Sequence, residues 1–251
     1  MDNPVVTNNA ANNSRRNPLG LAELPRVLPF VLFLVIGAAE GRYFPGSQYW
    51  LYVAKTVVSG ALLYYWRGLI SEMRWAFSVS GLLSGLVIAA LWIGLDGVIP
   101  SLDAIWYAAR KLVTGQAAPP VTPDALWNPI TYFVGQPALG WGFVAIRVLG
   151  RSLVVPAMEE VFYRSFFYRY IANPKFLEMP IGVWHSVAFL VTCAAFSFSH
   201  PGQWLAALIC AATYQWLVIR HKRLGDAMLA HGVTNLVISI WAITTGQWKF
   251  T

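Results

Sequence analysis

Val154-Val155-Pro156-Ala157-Met158-Glu159-Glu160-Val161-Phe162-Tyr163-Arg164 is the stretch on which the reading of this chain turns. Two adjacent carboxylates and an arginine sit inside a run that is otherwise apolar enough to cross a bilayer. A charged side chain at the bilayer centre costs roughly 3 kcal/mol on insertion scales, so three together need a compensating role. On a helix Glu160 and Arg164 are four residues apart and pair across one turn. Glu159 is rotated by about 100° from Glu160 and finds only Tyr163 at that spacing. One glutamate therefore reads as structural, and its neighbour is left for chemistry.

The rest of the chain supports a membrane setting. Of its 251 residues 57% are hydrophobic and only 12% charged, with a mean hydropathy of +0.53, whereas soluble domains are about 25% charged. The expected fold is an all-α polytopic bundle, because continuous apolar runs in lipid satisfy their backbone only as helices. About seven spans are expected, near residues 24–39, 48–66, 75–98, 139–170, 182–199, 203–219 and 225–245. Residues 1–22 are polar and asparagine-rich and read as a disordered cytosolic arm. Residues 23–251 read as a single integral domain, and no leader cleavage site is evident before the first span.

The net charge of +7 reports topology here, and nucleic acid is not an expected partner. With a cytoplasmic N-terminus, Arg15, Arg16, Arg26, Arg67, Arg74, Arg169, Lys175, Arg220, Lys222 and Arg223 fall inside. Only Arg42, Arg110, Lys111 and Lys249 fall outside, a clear positive-inside bias. Cys193 and Cys210 lie in apolar spans and are expected as buried thiols. The connection 99–138 holds six prolines, so it is not one helix, although Leu102–Val113 suits a short amphipathic helix.

Three polar clusters fall on three late spans. They are Glu159-Glu160 with Arg164, Phe196-Ser197-Phe198-Ser199-His200, and His231 with Asn235, which share one helix face. Peptide hydrolysis needs a base to activate water, a partner to orient it and donors for the oxyanion, and these residue types supply all three. The same set also permits a zinc site built from Glu159, His200 and His231, although no HEXXH motif is present. Arg147 and Arg151 continue the ridge of Glu159. They attract a substrate carboxylate or line a wet cavity, or else they snorkel toward the outer face or pair with Asp103 or Asp124, the second pair of roles being the expectation here. Lys55 is expected to pair with a neighbouring helix, and His185 to be interfacial.

The ordered motifs Glu159-Glu160-x-x-x-Arg164, Phe196-x-x-x-His200 and His231-x-x-x-Asn235 resemble the CPBP intramembrane protease family over about residues 140–245. That family includes CAAX prenyl endopeptidases, which trim prenylated proteins, and bacteriocin-immunity and Abi-like members. The resemblance implies an intramembrane endopeptidase acting on a protein or peptide substrate, lipidated or not. With neither an organelle signal nor a C-terminal retention signal in the sequence, a bacterial inner membrane is the expected location. It implies Glu159 as the water-activating base together with His200, and His231 with Asn235 as oxyanion stabilisers. Glu160, Arg164 and Phe196 would support the site. No cofactor is expected, with zinc as the alternative. The rival readings are a non-proteolytic scaffold or immunity protein and, less well supported, a transporter, for which the chain lacks repeat symmetry. A fifth span of 182–199 poses a difficulty. It would put His200 and His231 at opposite ends of their helices, unless that helix is short, tilted or displaced inward.

Overall fold

The computed structural model describes residues 21–116 and 127–250. The proposed arm 1–22 therefore lies almost wholly outside the described residues, as does Asp124. The fold is an all-α membrane helical bundle, and no strand occurs among the described residues. Its elements are α1 (Leu24–Gly37), α2 (Ser47–Trp66), α3 (Val79–Gly94), α4 (Leu102–Thr114) and α5 (Pro129–Tyr132). There follow the long α6 (Pro137–Ala172), α7 (Ser186–Phe198), α8 (Trp204–His221) and α9 (Gly225–Thr245).

Seven of these helices coincide with the seven expected spans. Three, α6, α8 and α9, are long and apolar enough by themselves to cross a membrane, whereas α1, α3 and α7 are shorter apolar helices. The third span is trimmed to 16 residues and the fifth is shorter still. The fifth starts at Ser186, capped by His185, whose Nδ1 accepts from the Ala188 N–H at 3.2 Å, and it runs for only 13 residues. At 1.5 Å per residue that is about 20 Å, short of the hydrocarbon thickness. The shortness removes the difficulty with His200, which sits immediately beyond the end of α7 and inside the bundle.

Helix α9 is the centre of the bundle, and its closest partner is α3. Gly81 and Gly85, four residues apart, permit that approach: a Cβ on Gly85 would lie 2.6 Å from the Ala230 carbonyl oxygen. Small residues at this spacing are how membrane helices pack backbone to backbone. Tyr214 on α8 donates to Thr234 Oγ1 at 2.7 Å, and Thr234 donates to the Gly85 carbonyl at 2.9 Å, so one chain of hydrogen bonds joins α8, α9 and α3. Cys193 and Cys210 are buried free thiols, as expected. Helix α4 buries none of its residues and carries Ile105, Trp106, Leu112 and Val113 exposed, in keeping with its amphipathic sequence.

Hydrogen bonds identify the two ends of the bundle. At one end Arg26, Glu72 and Arg169 meet, and His221 contacts Ser80 at 2.8 Å. At the other Gln203 donates to Asp96 at 3.0 Å, and Lys55 pairs with Glu40 at 2.7 Å. Arg26 and Arg169, both assigned to the cytoplasm, meet at the first end, and Arg15 and Arg16 lie outside the described residues.

Glu72, in the connection between α2 and α3, ties α1 to α6. It takes Arg26 at 2.8 Å and Arg169 at 3.0 Å and accepts from Ser165. Burial pushes its carboxyl up, but the Arg26 guanidinium and the Ser165 hydroxyl outweigh burial and hold it below its ordinary value of 4.5. A depressed carboxylate stabilises the fold fully above that ordinary value, and the contribution is lost as pH falls through the lowered folded-state value. The detergent-solubilised protein should therefore lose thermal stability on acidification below about 4.5. Glu72→Gln should be less stable at neutral pH by about 3 kcal/mol, because two arginines lose their partner. It should also show a flatter acid limb. Equal midpoints for both proteins across the pH series would remove Glu72 from this role.

Candidate active site

Helix α6 carries the paired glutamates, and its backbone is not uniform. Its α-helical turns are interrupted by wider π-helical turns at Gly150–Val154 and Val161–Phe167, flanking the α-helical turn Val155–Glu160. The first has a readable cause. Val155 N–H bonds the Gly150 carbonyl, five residues back, and Pro156 has no N–H to give, so the Arg151 carbonyl is left without a helical donor. Asn235 Nδ2 on α9 donates to that oxygen at 2.8 Å. Gly232, one turn away, lets the helices come this close, since a Cβ there would lie 2.7 Å from the Ser152 carbonyl oxygen. The proline in the decisive stretch and the asparagine of the third motif are thus parts of one joint.

The two glutamates then diverge as their rotation about the helix requires. Glu160 is fully buried, and its Oε1 accepts from Arg164 Nη1 at 3.1 Å and from His231 Nδ1 at 3.0 Å. Arg164, itself 1% exposed, packs its guanidinium beside the rings of Phe196, Tyr163 and Tyr214, with the centroids 5.0–5.8 Å away. Glu159 instead faces a cavity of about 250 Å³. Its side chain is 14% exposed, and its Oε2 has no hydrogen-bond partner.

All four residues singled out for chemistry, Glu159, His200, His231 and Asn235, line this one cavity. His231 Nε2 lies 3.9 Å from Glu159 Oε2, and it is His231, not His200, that is within ion-pair reach of Glu159. The Glu160 carboxylate can only accept, so His231 Nδ1 carries the proton and Nε2 is bare in the neutral ring. His200 is fixed in the same tautomer, since its Nδ1 is 2.9 Å from the Phe196 carbonyl, another pure acceptor. Its ring stacks on Phe196 at 4.8 Å and meets Trp92 edge-on at 5.5 Å. Phe196, 1% exposed, also abuts Arg164, so this one ring supports both the histidine and the arginine.

One expectation needs correction. Arg147 and Arg151 do not snorkel outward: both line the cavity, Arg147 over the rings of Tyr52 and Trp127, and neither pairs with Asp103. Arg151 donates to the Phe250 carbonyl. Among the described residues no group of three His, Cys, Asp or Glu side chains lies close enough together to hold a metal ion. Lys55, also on the cavity wall and paired with Glu40, is a site feature that its isolated position in the second span did not disclose.

The helical membrane bundle thus sets a glutamate and two histidines on the wall of one internal cavity. In comparison with known proteins, residues 140–237 match the family model described as type II CAAX prenyl endopeptidase Rce1-like. Over that segment the chain is similar to the CPBP/CAAX proteases, and its long apolar helices make it an integral membrane protein. The match takes in all three motifs and leaves α1–α5 outside. No curated protein and no solved structure matches the chain.

Proposed function

We propose that this protein is an endopeptidase that hydrolyses a peptide bond of a membrane-associated protein or peptide, through water activated by Glu159. The observation carrying the reading is the pair Glu159 and His231, 3.9 Å apart on the wall of a polar cavity inside a membrane bundle. A water about 2.8 Å from both atoms fits at the apex of a triangle with them.

In the proposed step that water attacks the scissile carbonyl carbon while Glu159 takes its proton. His231, held by Glu160, keeps a bare Nε2 toward the water and orients it. The carbonyl oxygen becomes an oxyanion, for which the second amide proton of Asn235 is the donor on the cavity wall. His200, with its Nδ1 proton committed to the Phe196 carbonyl, offers a bare Nε2 as a second acceptor there. The tetrahedral carbon then releases the amine as the C–N bond breaks, and Glu159 returns its proton to that nitrogen. No covalent enzyme intermediate forms. Relative to the roles implied by family resemblance, the geometry favours His231 as the partner of Glu159 and gives Asn235 a second duty in joining α9 to α6.

The substrate class proposed is a C-terminal, CAAX-like segment, lipidated or not, and the proposed location is the bacterial inner membrane with the N-terminus in the cytoplasm. In that orientation the neighbouring cleft lined by Glu40, Arg42 and Trp127 lies at the non-cytoplasmic end. Cysteines introduced at Lys175 and Lys249 in intact spheroplasts test the topology. A membrane-impermeant maleimide should label the second and spare the first until lysis, and the reverse pattern would overturn the orientation. The activity is tested by incubating the purified protein in liposomes with membrane-anchored candidate peptides, with and without a chelator, and mapping the products by mass spectrometry. Cleavage that persists with chelator supports water activated by Glu159. Loss with chelator and restoration by zinc would replace it with a metal-based mechanism.

A further inference from the structure

Three cations, Lys55, Arg147 and Arg151, line the cavity beside Glu159. Two of them are engaged, Lys55 with the Glu40 carboxylate at 2.7 Å and Arg151 with the Phe250 carbonyl. Arg147 is not. Its Nε and Nη1 are out of reach of solvent and have no hydrogen-bond partner, and among the described residues no carboxylate is within ion-pair range. Its guanidinium is stacked 4.5 Å from the Tyr52 ring and 4.0 Å from the Trp127 ring, so its plane is fixed. Arg147 also borders a second cleft of about 830 Å³, which includes Glu40, Tyr49 and Asn128, and thus stands where the inner cavity meets the outer one.

A buried, pre-oriented guanidinium with unused donors matches a planar carboxylate, which takes two parallel N–H bonds from it. The charge balance sets the size of the missing anion. Lys55, Arg147 and Arg151 against Glu40 and Glu159 leave one positive charge, which a single carboxylate cancels and a phosphate dianion would overshoot. We propose that Arg147, supported by Arg151 and Lys55, is a carboxylate-binding subsite that selects substrates carrying a carboxylate a few residues from the cleaved bond. The inference rests on the protease reading above and adds the substrate feature that the site recognises. Arg151 and Arg147 precede Glu159 by eight and twelve residues, about 12 and 18 Å of helix rise. An extended substrate spans that distance in roughly three to five residues once the arginine's own reach is allowed for. The carboxylate comes from either the substrate's C-terminus or an acidic side chain.

The test is binding to the full-length Glu159→Gln protein in liposomes, so that turnover does not intervene. Three forms of one fluorescent apolar pentapeptide serve as probes: the free acid, the C-terminal amide, and the amide carrying one aspartate. The free acid or the aspartate peptide should bind at least tenfold more tightly than the plain amide, as charge-assisted hydrogen bonds predict. Which of the two does so identifies the source of the carboxylate. Adding Arg147→Met should abolish the preference while leaving amide binding and the unfolding midpoint unchanged, and Arg147→Lys should restore part of it. Equal binding of all three probes, absence of binding, or a preference that survives Arg147→Met would overturn the subsite. Because binding is read without cleavage, an acid preference lost in Arg147→Met stands even where the wild type cleaves nothing, and that pairing would count against the protease reading alone.

Discussion

Glu159→Gln is expected to lower cleavage by about 10²- to 10⁴-fold while leaving the fold intact, because it removes the general base and little else. The amide is nearly isosteric and can still hydrogen-bond a water, but it cannot take the water's proton. Structural damage should be minimal. Glu159 Oε2 has no partner to lose, and its closest charged neighbour, His231, remains held by Glu160. The unfolding midpoint should therefore move by less than the equivalent of about 0.5 kcal/mol. The measurement is a progress curve on the best membrane-anchored peptide, alongside thermal unfolding of the same preparation. His200→Ala, by removing a basic ring nitrogen from the cavity wall, should cost about 10²-fold. Cleavage by Glu159→Gln at more than a few per cent of the wild-type rate would take Glu159 out of the mechanism, whatever the fate of His200→Ala.

Much of this site can be read from spacing, because helices turn four-residue intervals into contacts. Glu160 with Arg164 is a direct instance: the sequence places them one turn apart, and they meet at 3.1 Å. The divergence of Glu159 from Glu160 follows from the same rotation. What spacing cannot carry is the relation between helices. That His231 and not His200 stands within ion-pair reach of Glu159 depends on how α9 and α7 pack against α6, which no interval within one helix discloses. Pro156 signalled a disturbance in α6, yet not that Asn235 would take up the orphaned Arg151 carbonyl. The arginines failed for a different reason. Snorkelling is the sound expectation for an arginine near a helix end, but a cavity walled by Tyr52 and Trp127 provides another place for the guanidinium.

Arg164→Met should be the most damaging single change to stability, with a loss of about 3–5 kcal/mol. Arg164 and Glu160 are both buried, at 1% and 0% exposure, and Arg164 lies among three aromatic rings. Methionine replaces much of its volume, so the loss comes mainly from charge: the Glu160 carboxylate remains with only the His231 N–H at 3.0 Å. A second substitution separates charge from packing. In Glu160→Gln with Arg164→Met the buried anion is gone, while the glutamine oxygen still accepts from His231. The double variant should accordingly regain most of the lost stability, a coupling expected only for residues in direct contact. Its activity should stay low, because a neutral amide holds His231 less firmly in the tautomer that presents Nε2 to the water. Unfolding in detergent, followed by loss of helical signal, measures the first effect, and the peptide assay measures the second. A loss below about 1 kcal/mol for Arg164→Met would mean that Glu160 is not held as a buried anion, because the penalty for an unpaired buried charge would be absent. Recovery of stability without recovery of cleavage would assign the pair two separable tasks, neutralising charge within the bundle and aiming a histidine at the substrate.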